Sequence, residues 1–311
     1  MTFAPVRVLS ASEVHAALDW TSLAAALDAA FAAGAQVPVR HAHALAASDT
    51  LLLMPAWNAD VIGTKIVTVI PGAVARGAST VNATYLLMDR ATGVPRAVID
   101  GDALTVRRTA AVSALAARYA APDSARTLLM VGTGHLAPWM VRAHVALRPA
   151  IDRVLVWGRH GDRAAALVAT LCAEGIPAAV AGSLEAAVRE ADIVSCATTA
   201  QEPLVQGAWL RPGMHLDCVG GFTPTMREVD DDAVVASRVL VDSYSGVLAE
   251  AGDVVQPLAR GRITREHVVA ELGELSRGER AGRTDPSQIT LFKSVGTALA
   301  DLAAAQCLMT A

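Results

Sequence analysis

The feature that most constrains the fold of this chain is a regular alternation of short apolar runs with amphipathic segments after residue 127. The runs lie at residues 128–131, 154–157, 178–181, 193–197, 215–219 and 239–242. Strands that are buried on both faces of a parallel sheet have this continuous apolar character, and helices connect them. The pattern therefore predicts an α/β fold with a doubly wound parallel sheet of the Rossmann type.

The first part of the chain predicts a different, α+β unit. An amphipathic stretch at 12–34 predicts one helix, and an alanine-rich stretch at 102–120 predicts another. Between these helices, strand-like runs lie at residues 51–55, 63–70, 84–89 and 95–100. The last two runs flank a short segment with Gly93 near its end, which is typical of a hairpin.

Two breaks suggest the domain boundaries. Pro122 ends the alanine-rich helix, and a polar, glycine-rich stretch at 273–288 is typical of a linker before a last helix. We therefore expect one domain from residues 1–122 and 290–311 and a second domain from residues 123–289.

Composition excludes several classes of protein. Charged residues make up 18% and hydrophobic residues 53% of the 311 residues, which indicates a folded chain with a large core. Mean hydropathy is +0.40, but charge, glycine or proline interrupts each apolar stretch well before the roughly 20 residues of a membrane helix. The net charge of −4, without a basic block, argues against nucleic acid as a partner.

The sequence offers no pattern typical of a metal site or of a disulfide framework. The four cysteines lie far apart, and two of them, Cys196 and Cys218, fall in strand-like runs as buried thiols do. His41 and His43 share one face of a strand, but the sequence provides no third ligand nearby, so we expect no metal. Free thiols fit a reducing compartment, and we expect a cytoplasmic protein.

A glycine-rich loop follows the first strand of the alternating region. It reads G-x-G-x-x-A at residues 132–137. Its first glycine permits a tight turn, its second lets a pyrophosphate approach the backbone, and its alanine lets the helix pack closely on the strand. The N-terminus of the following helix favours phosphates through its N–H groups and its partial positive charge. We expect a dinucleotide cofactor to be held by Gly132, Gly134, His135 and Leu136.

The end of the next strand predicts which dinucleotide binds. NAD-specific sites place an acidic residue there, about 20 residues after the loop, to bind the ribose 2′-hydroxyl. This chain has Arg159 and His160 instead, and an arginine fork suits a 2′-phosphate. We therefore predict NADPH, with Arg159 as the main contact and His160 or Arg163 assisting. Asp162 is close by in sequence and leaves NADH open as a weaker cofactor.

Cationic side chains interrupt apolar segments of the first domain. Lys65 lies inside a strand-like run, so it must be paired, lie at an edge or face a cavity. Arg107 and Arg108 lie on a helix of small apolar residues, and Arg40 precedes the His-Ala-His segment. Such cations suit a carboxylate substrate, because arginine offers a planar fork and lysine a point charge. Taken singly, each is more often a solvated or ion-paired surface residue.

Several short motifs together resemble the ornithine cyclodeaminase/mu-crystallin family over nearly the full chain. They are MPAW at 54–57, GTKIV at 63–67, TYLLMD at 84–89, RRTAA at 107–111, the loop at 132–137 and LFKSVG at 291–296. The resemblance implies a homodimer in which the Rossmann-type domain binds the nicotinamide cofactor. It also implies that the two ends of the chain together build the domain for substrate binding and dimerisation.

The resemblance implies roles for individual residues as well. It implies a substrate site lined by Arg40, Lys65 and Arg108, with Ser294 near the substrate. It further implies cofactor contacts from Thr80 and Arg108 of the first domain and, along the nicotinamide, from Thr198, Val219 and Lys293.

The chain departs from the cyclodeaminases of this family at one informative position. They, like the family's archaeal alanine dehydrogenases, carry an aspartate where this chain has Phe222. In the cyclodeaminases that aspartate activates the distal amine for ring closure, and a phenyl ring has no group for this task. The segment at 221–228 instead resembles the bacterial branch that reduces the cyclic ketimines Δ1-pyrroline-2-carboxylate and Δ1-piperideine-2-carboxylate to L-proline and L-pipecolate.

We therefore interpret the chain as an NADPH-dependent ketimine reductase that acts on a cyclic imino acid. Hydride passes to C2 of the C=N bond, the arginines hold the carboxylate, and Lys65 or a water that it positions donates the proton. Two neighbouring arginines are expected to lower the pKa of Lys65. Three alternatives stay open: an ornithine cyclodeaminase, an oxidoreductase of the alanine dehydrogenase type, and a non-catalytic NADPH-binding protein like mu-crystallin.

Overall fold

The structure, a computed structural model, describes residues 5–310, which belong to two compact units. Unit 1 comprises Met1–Arg108 and Thr297–Ala311, and unit 2 comprises Thr109–Gly296. Across residues 5–310, no helix combines the length and the apolar character needed to cross a membrane. In the same range, no cluster of three or more histidine, cysteine, aspartate or glutamate side chains is arranged to hold a metal ion.

Unit 1 is built on a six-stranded sheet. Its strands are β1 (Arg7–Leu9), β2 (His41–Ala44), β3 (Thr50–Trp57), β4 (Val61–Val69), β5 (Val81–Asp89) and β6 (Pro95–Asp100). Their spatial order is β1-β6-β5-β4-β3-β2, and all neighbours are antiparallel except β1 and β6. The helices are α1 (Ala11–Ala17), α2 (Trp20–Ala33) and the C-terminal α11 (Ala298–Thr310), which packs on β3, β4 and α2. Lys65 therefore lies on an interior strand.

The helix predicted over residues 12–34 was wrong in one respect, because the structure has two helices there. Asp19 accepts hydrogen bonds from the backbone N–H groups of Thr21 (3.0 Å) and Ser22 (2.9 Å). An aspartate in this N-cap position stabilises a new helix start, so α2 begins at Trp20. Buried apolar residues continue on both sides of the break, which is why periodicity alone does not reveal it.

Unit 2 contains an eight-stranded, fully parallel sheet. Its strands are β7 (Thr127–Val131), β8 (Arg153–Trp157), β9 (Ala178–Val180), β10 (Ile193–Cys196), β11 (His215–Cys218), β12 (Ser237–Val241), β13 (Val268–Glu271) and β14 (Ile289–Lys293). Their order is β13-β12-β14-β11-β10-β7-β8-β9. The order reverses at β7, and doubly wound sheets bind ligands at the carboxyl ends of the strands around such a point. The predicted fold class is confirmed.

Helices connect the strands of unit 2. They are α3 (Gly101–Ala120), which begins in unit 1, and α4 (Ala137–Leu147), α5 (Gly161–Ala173), α6 (Leu184–Glu190), α7 (Asp231–Ala236), α8 (Tyr244–Glu250), α9 (Gly252–Ala259) and α10 (Leu272–Ser276). Short, mostly apolar strands alternate with these helices, as the sequence pattern predicts.

The sequence did not reveal β1, β13 or β14. β14 lies between β11 and β12 in the sheet, whereas the chain was expected to return to the first domain at residue 290. The polar stretch at 273–288, which was expected to be a linker, is fixed to the rest of unit 2, because Arg283 donates to the carbonyls of Gly213 (3.0 Å) and Ala120 (2.8 Å). The return to unit 1 comes after Gly296. The expected boundary at residue 122 stays a prediction, because α3 passes from one unit to the other.

Candidate active site

Lys65 and Arg108 of unit 1 meet at a buried carboxylate that the sequence interpretation missed. Nζ of Lys65 lies 2.8 Å from Oδ2 of Asp301, and Nε of Arg108 donates to Oδ1 at 2.9 Å. Lys65 is 4% exposed, Arg108 is 5% exposed and Asp301 is fully buried. Strand β4 and helices α3 and α11 thus bring three charges together. Asp301 carried a readable signal, because it is an acidic residue inside an apolar, alanine-rich helix, as Lys65 is a cation inside an apolar strand.

This environment adjusts the protonation of the cluster. Burial lowers the pKa of Lys65 to about 8; Asp301 opposes the shift, and the charges of Arg108 and Arg40 add to it. The expected effect of the two arginines is present, but burial is the larger cause. Burial also raises the pKa of Asp301, yet Arg108 and Lys65 hold that pKa below its usual value. At neutral pH the cluster is therefore a carboxylate between cations.

The other predicted residues of unit 1 take separate positions. Arg107 points elsewhere on α3, with its guanidinium 3.8 Å from the ring centre of Trp20. Arg40 is half-buried, and its charge adds to the lowering of the Lys65 pKa. Thr80 is half-buried before β5, where its carbonyl accepts a hydrogen bond from the N–H of Ile70 at 2.7 Å. That contact closes the connection between β4 and β5.

The glycine-rich loop of unit 2 has the shape that a dinucleotide needs. Gly132 has a φ of 120°, and a Cβ there would lie 2.6 Å from the carbonyl oxygen of Ala197, so the position requires glycine. Gly134 is exposed, with open space where a Cβ would be. His135 is also exposed, Leu136 is half-buried, and α4 begins at the next residue. These residues fit a cofactor pyrophosphate at the helix N-terminus.

Three cationic candidates follow the end of β8. Arg159, His160 and Arg163 are all exposed, in the connection to α5 and in its first turn. β8 is the direct neighbour of β7, the strand that leads into the glycine-rich loop. Asp162 is exposed as well and lies in the first turn of α5. The position at the strand end itself carries arginine and histidine.

Lys293 belongs to a second buried ion cluster, in unit 2. Its Nζ lies 2.8 Å from Oδ2 of Asp253 and 3.9 Å from Oε2 of Glu228, and it donates to the carbonyl of Gly220. Burial alone would lower the pKa of Lys293, but Asp253 and Glu228 raise it well above the usual value. Lys293 has no exposed surface. In this structure Lys293 holds neighbouring groups in place, and its predicted contact with the nicotinamide stays a prediction.

The cluster around Lys293 fixes the loops that follow β10 and β11. Oε1 of Glu228 accepts hydrogen bonds from the N–H (2.7 Å) and the hydroxyl (3.0 Å) of Thr198. Gly220 lies so close that a Cβ there would collide with the carbonyl of Thr198 and the carboxylate of Glu228. Val219 is 8% exposed, and Phe222, two residues after Gly220, is 46% exposed. The sequence interpretation missed Glu228 and Asp253.

Ser294 directly follows β14 and takes part in a buried capping arrangement. Its hydroxyl donates to Oδ2 of Asp242 at 2.8 Å. The same oxygen accepts hydrogen bonds from the N–H groups of Val295 (3.1 Å) and Gly296 (2.7 Å). Ser294 is 2% exposed, so its evident role is to anchor the chain after the strand. Its predicted contact with the substrate stays a prediction.

Comparison with known proteins adds evidence that is independent of this geometry. A model of the ornithine cyclodeaminase/mu-crystallin family matches residues 6–310. The chain belongs to this family. The match covers both units, including the cationic cluster of unit 1 and the glycine-rich loop of unit 2.

Individual family members are similar over most of their length. The Delta(1)-pyrroline-2-carboxylate reductase of Colwellia psychrerythraea is 35% identical over 308 residues, covering 96% of this chain and 97% of that protein. The Delta(1)-pyrroline-2-carboxylate reductase of Paracoccus denitrificans is 40% identical over 258 residues, covering 82% and 81%. A structure of the Thermococcus litoralis Delta(1)-pyrroline-2-carboxylate reductase in complex with NADH and L-proline is 32% identical, with a TM-score of 0.92 and coverage of 98% and 97%. The chain described here is accordingly an oxidoreductase that uses a nicotinamide cofactor and acts on CH–NH or C=N groups.

Proposed function

We propose that the chain is an NADPH-dependent reductase of cyclic ketimines, which converts Δ1-pyrroline-2-carboxylate to L-proline and Δ1-piperideine-2-carboxylate to L-pipecolate. The observation that carries the proposal is the buried pairing of Lys65 with Arg108 through Asp301, because it combines a proton donor with a carboxylate-binding fork. The names of the relatives from Colwellia psychrerythraea and Paracoccus denitrificans support the five-membered ring as a substrate.

The reaction adds one hydride to C2 of the ring and one proton to the ring nitrogen. When bound, the reduced nicotinamide supplies the hydride. Lys65 supplies the proton to the nitrogen, because a pKa of about 8 leaves it mostly protonated yet acidic enough at neutral pH. Water then returns a proton to the lysine. Arg108 and Arg40 bind the substrate carboxylate and so orient the C=N bond.

We propose that unit 2 holds the cofactor through the loop of Gly132, Gly134, His135 and Leu136. Arg159 is proposed to bind the 2′-phosphate of NADPH, with His160 or Arg163 assisting, because these exposed cations follow β8 where an NAD-specific site carries an acid. The Thermococcus litoralis relative is seen with NADH, so both cofactors belong in the test. Contacts of the cofactor with Thr80, Arg108, Thr198, Val219 and Lys293 stay predictions.

We also propose that the protein is a homodimer. Val8, Leu53, Ile66, Leu86 and Val98 share one face of the sheet in unit 1 through the strand register. Val8 is 73% exposed and Ile66 is 37% exposed, and contiguous exposed apolar surface is typical of interfaces. A monomer in sedimentation experiments on the full chain would contradict this part of the proposal. The cytoplasmic location stays a prediction from the sequence.

The test is to follow NADPH and NADH consumption with each cyclic imine side by side. We expect both imines to be reduced, and NADPH to be used at lower concentrations than NADH. Release of proline and ammonia from ornithine with catalytic NAD would indicate a cyclodeaminase instead, which Phe222 disfavours. NADPH oxidation by pyruvate with ammonia would indicate an alanine dehydrogenase type. NADPH binding without turnover of either imine would indicate a carrier protein.

A further inference from the structure

We propose that Asp301 is a positioning residue that keeps Lys65 in its proton-donating form and orients Arg108 toward the substrate carboxylate. This inference deepens the proposed function and rests on it for the chemical role of Lys65. The structural part, that one carboxylate controls both cations, is testable without any turnover.

The geometry gives each cation its own oxygen. Oδ2 of Asp301 lies 2.8 Å from Nζ of Lys65, and Oδ1 accepts the Nε–H of Arg108 at 2.9 Å. Because Asp301 engages Nε, we assign the end-on pair of nitrogens, Nη1 and Nη2, to the substrate carboxylate, which accepts two parallel hydrogen bonds. A buried aspartate on a helix is more rigid than the arginine stem, so it fixes the direction of the fork.

The charges around Lys65 show why a carboxylate is needed there. Arg40 acts on Lys65 from the segment before β2, and Arg108 acts from α3; both favour the neutral amine, as burial does. From β5, Tyr85 is the direct strand partner of Lys65, and burial keeps its hydroxyl protonated by raising its pKa. Asp301 on α11 is the group that favours the ammonium form. Without its charge, Lys65 would lose its proton at a lower pH and fail as a donor near neutrality.

A purely structural role for Asp301 makes a different prediction. Loss of a buried ion pair destabilises a protein and lowers its activity at every pH. Loss of a group that sets protonation instead moves the pH at which Lys65 titrates. An opposite charge at this distance changes a pKa by about one to three pH units.

The chain offers an unusually direct test, because its sequence contains two lysines, Lys65 and Lys293. Labelling lysine with 13C at Cε gives two side-chain NMR signals from the whole protein, and Lys65→Arg assigns them. We expect Lys65 of the wild type to titrate near pH 8 and Lys65 of Asp301→Asn to titrate at least one pH unit lower. Lys293, which belongs to unit 2, serves as the internal control and should stay charged in both proteins.

The contradicting result is a Lys65 titration that is unchanged or raised in folded Asp301→Asn. An unfolded variant is recognised because both lysine signals then titrate near the ordinary value of 10.5. If Asp301→Asn is unfolded, the Lys65 titration is compared between the wild type and Asp301→Ser instead. Asp301→Glu keeps the charge and should titrate near the wild type.

Kinetics supply the second arm. In an active enzyme, we expect Asp301→Asn to raise KM for the imine and to move the high-pH loss of kcat/KM by the same amount as the NMR titration. An active variant with an unmoved pH profile would overturn the inference. If the wild type reduces neither imine, the proposed function fails, while the NMR titration still decides whether Asp301 controls Lys65.

Discussion

Lys65 of unit 1 and Lys293 of unit 2 each lie 2.8 Å from a buried aspartate, yet their pKa values are shifted in opposite directions. Burial lowers the pKa of Lys65 to about 8, with Asp301 opposing the shift and the charges of Arg108 and Arg40 adding to it. Lys293 faces two carboxylates, and its pKa is raised well above the usual value. The net charge of the neighbours, not the distance to the partner, makes one lysine suited to proton transfer and the other to fixing a loop.

Replacing Lys65 with methionine is expected to lower kcat by at least about 100-fold, because a positioned general acid contributes about that much or more. Methionine keeps most of the apolar stem, and Arg108 still pairs with Asp301. Steady-state kinetics with NADPH and a cyclic imine provide the measurement. Arg96→Met is the matched control, since Arg96 is a half-exposed cation of the same sheet. An unchanged kcat with only a higher KM would refute the donor role.

The pH dependence of the reduction should follow Lys65. The proton donor is the ammonium form, so kcat/KM should be constant below its pKa of about 8 and fall tenfold per pH unit above it. The measurement is the rate with each imine from about pH 6 to about pH 10, a range that extends to both sides of the pKa of Lys65. A rate that rises through pH 8 would mean that the amine form acts as a base instead.

Removing the ammonium of Lys293 should destabilise the protein. Lys293→Met leaves Asp253 and Glu228 buried without their cation, and such losses cost about 3–5 kcal/mol. Urea unfolding without cofactor gives the free energy of unfolding. As a control, Arg189→Met removes an exposed partner of Glu185 on one helix and should change stability by about 0.5 kcal/mol or less. Equal stability of the two variants would argue against the positioning role of Lys293.

Arg159 should discriminate between the two cofactors. Arg159→Ala is expected to weaken NADPH at least about tenfold and NADH much less, because a charge-assisted hydrogen bond to the 2′-phosphate is lost. Fluorescence titration of each cofactor gives the affinities. Arg153→Ala is the matched control, since Arg153 is an exposed arginine at the start of β8, the strand that precedes Arg159. Equal weakening of both cofactors would remove Arg159 from the discriminating role.

The architecture was readable from the sequence because its signals are local. Apolar runs, helix periodicity and the glycine-rich loop each depend on neighbouring residues, and the parallel sheet follows from their alternation. The exceptions were also local: the Asp19 cap lies within a continuous apolar period, and β14 follows a polar stretch that resembles a linker.

The site was only partly readable, because its pairings are distant in the chain. Arg108 and Asp301 are 193 residues apart, and no spacing rule connects them. The sequence marks Lys65 as a cation that needs a partner, but it does not identify that partner. Likewise, the motif around Lys293 indicates a functional lysine, but it does not identify Asp253 and Glu228 as the partners of this fully buried side chain.

The most direct measurement of the central claim is deuterium transfer. The protein is incubated with Δ1-pyrroline-2-carboxylate or Δ1-piperideine-2-carboxylate and NADPH that carries deuterium at both positions of nicotinamide C4. We predict L-proline or L-pipecolate with one deuterium at C2 and none elsewhere on the ring. Recovery of unreduced imine, or of a product without deuterium at C2, would contradict the account.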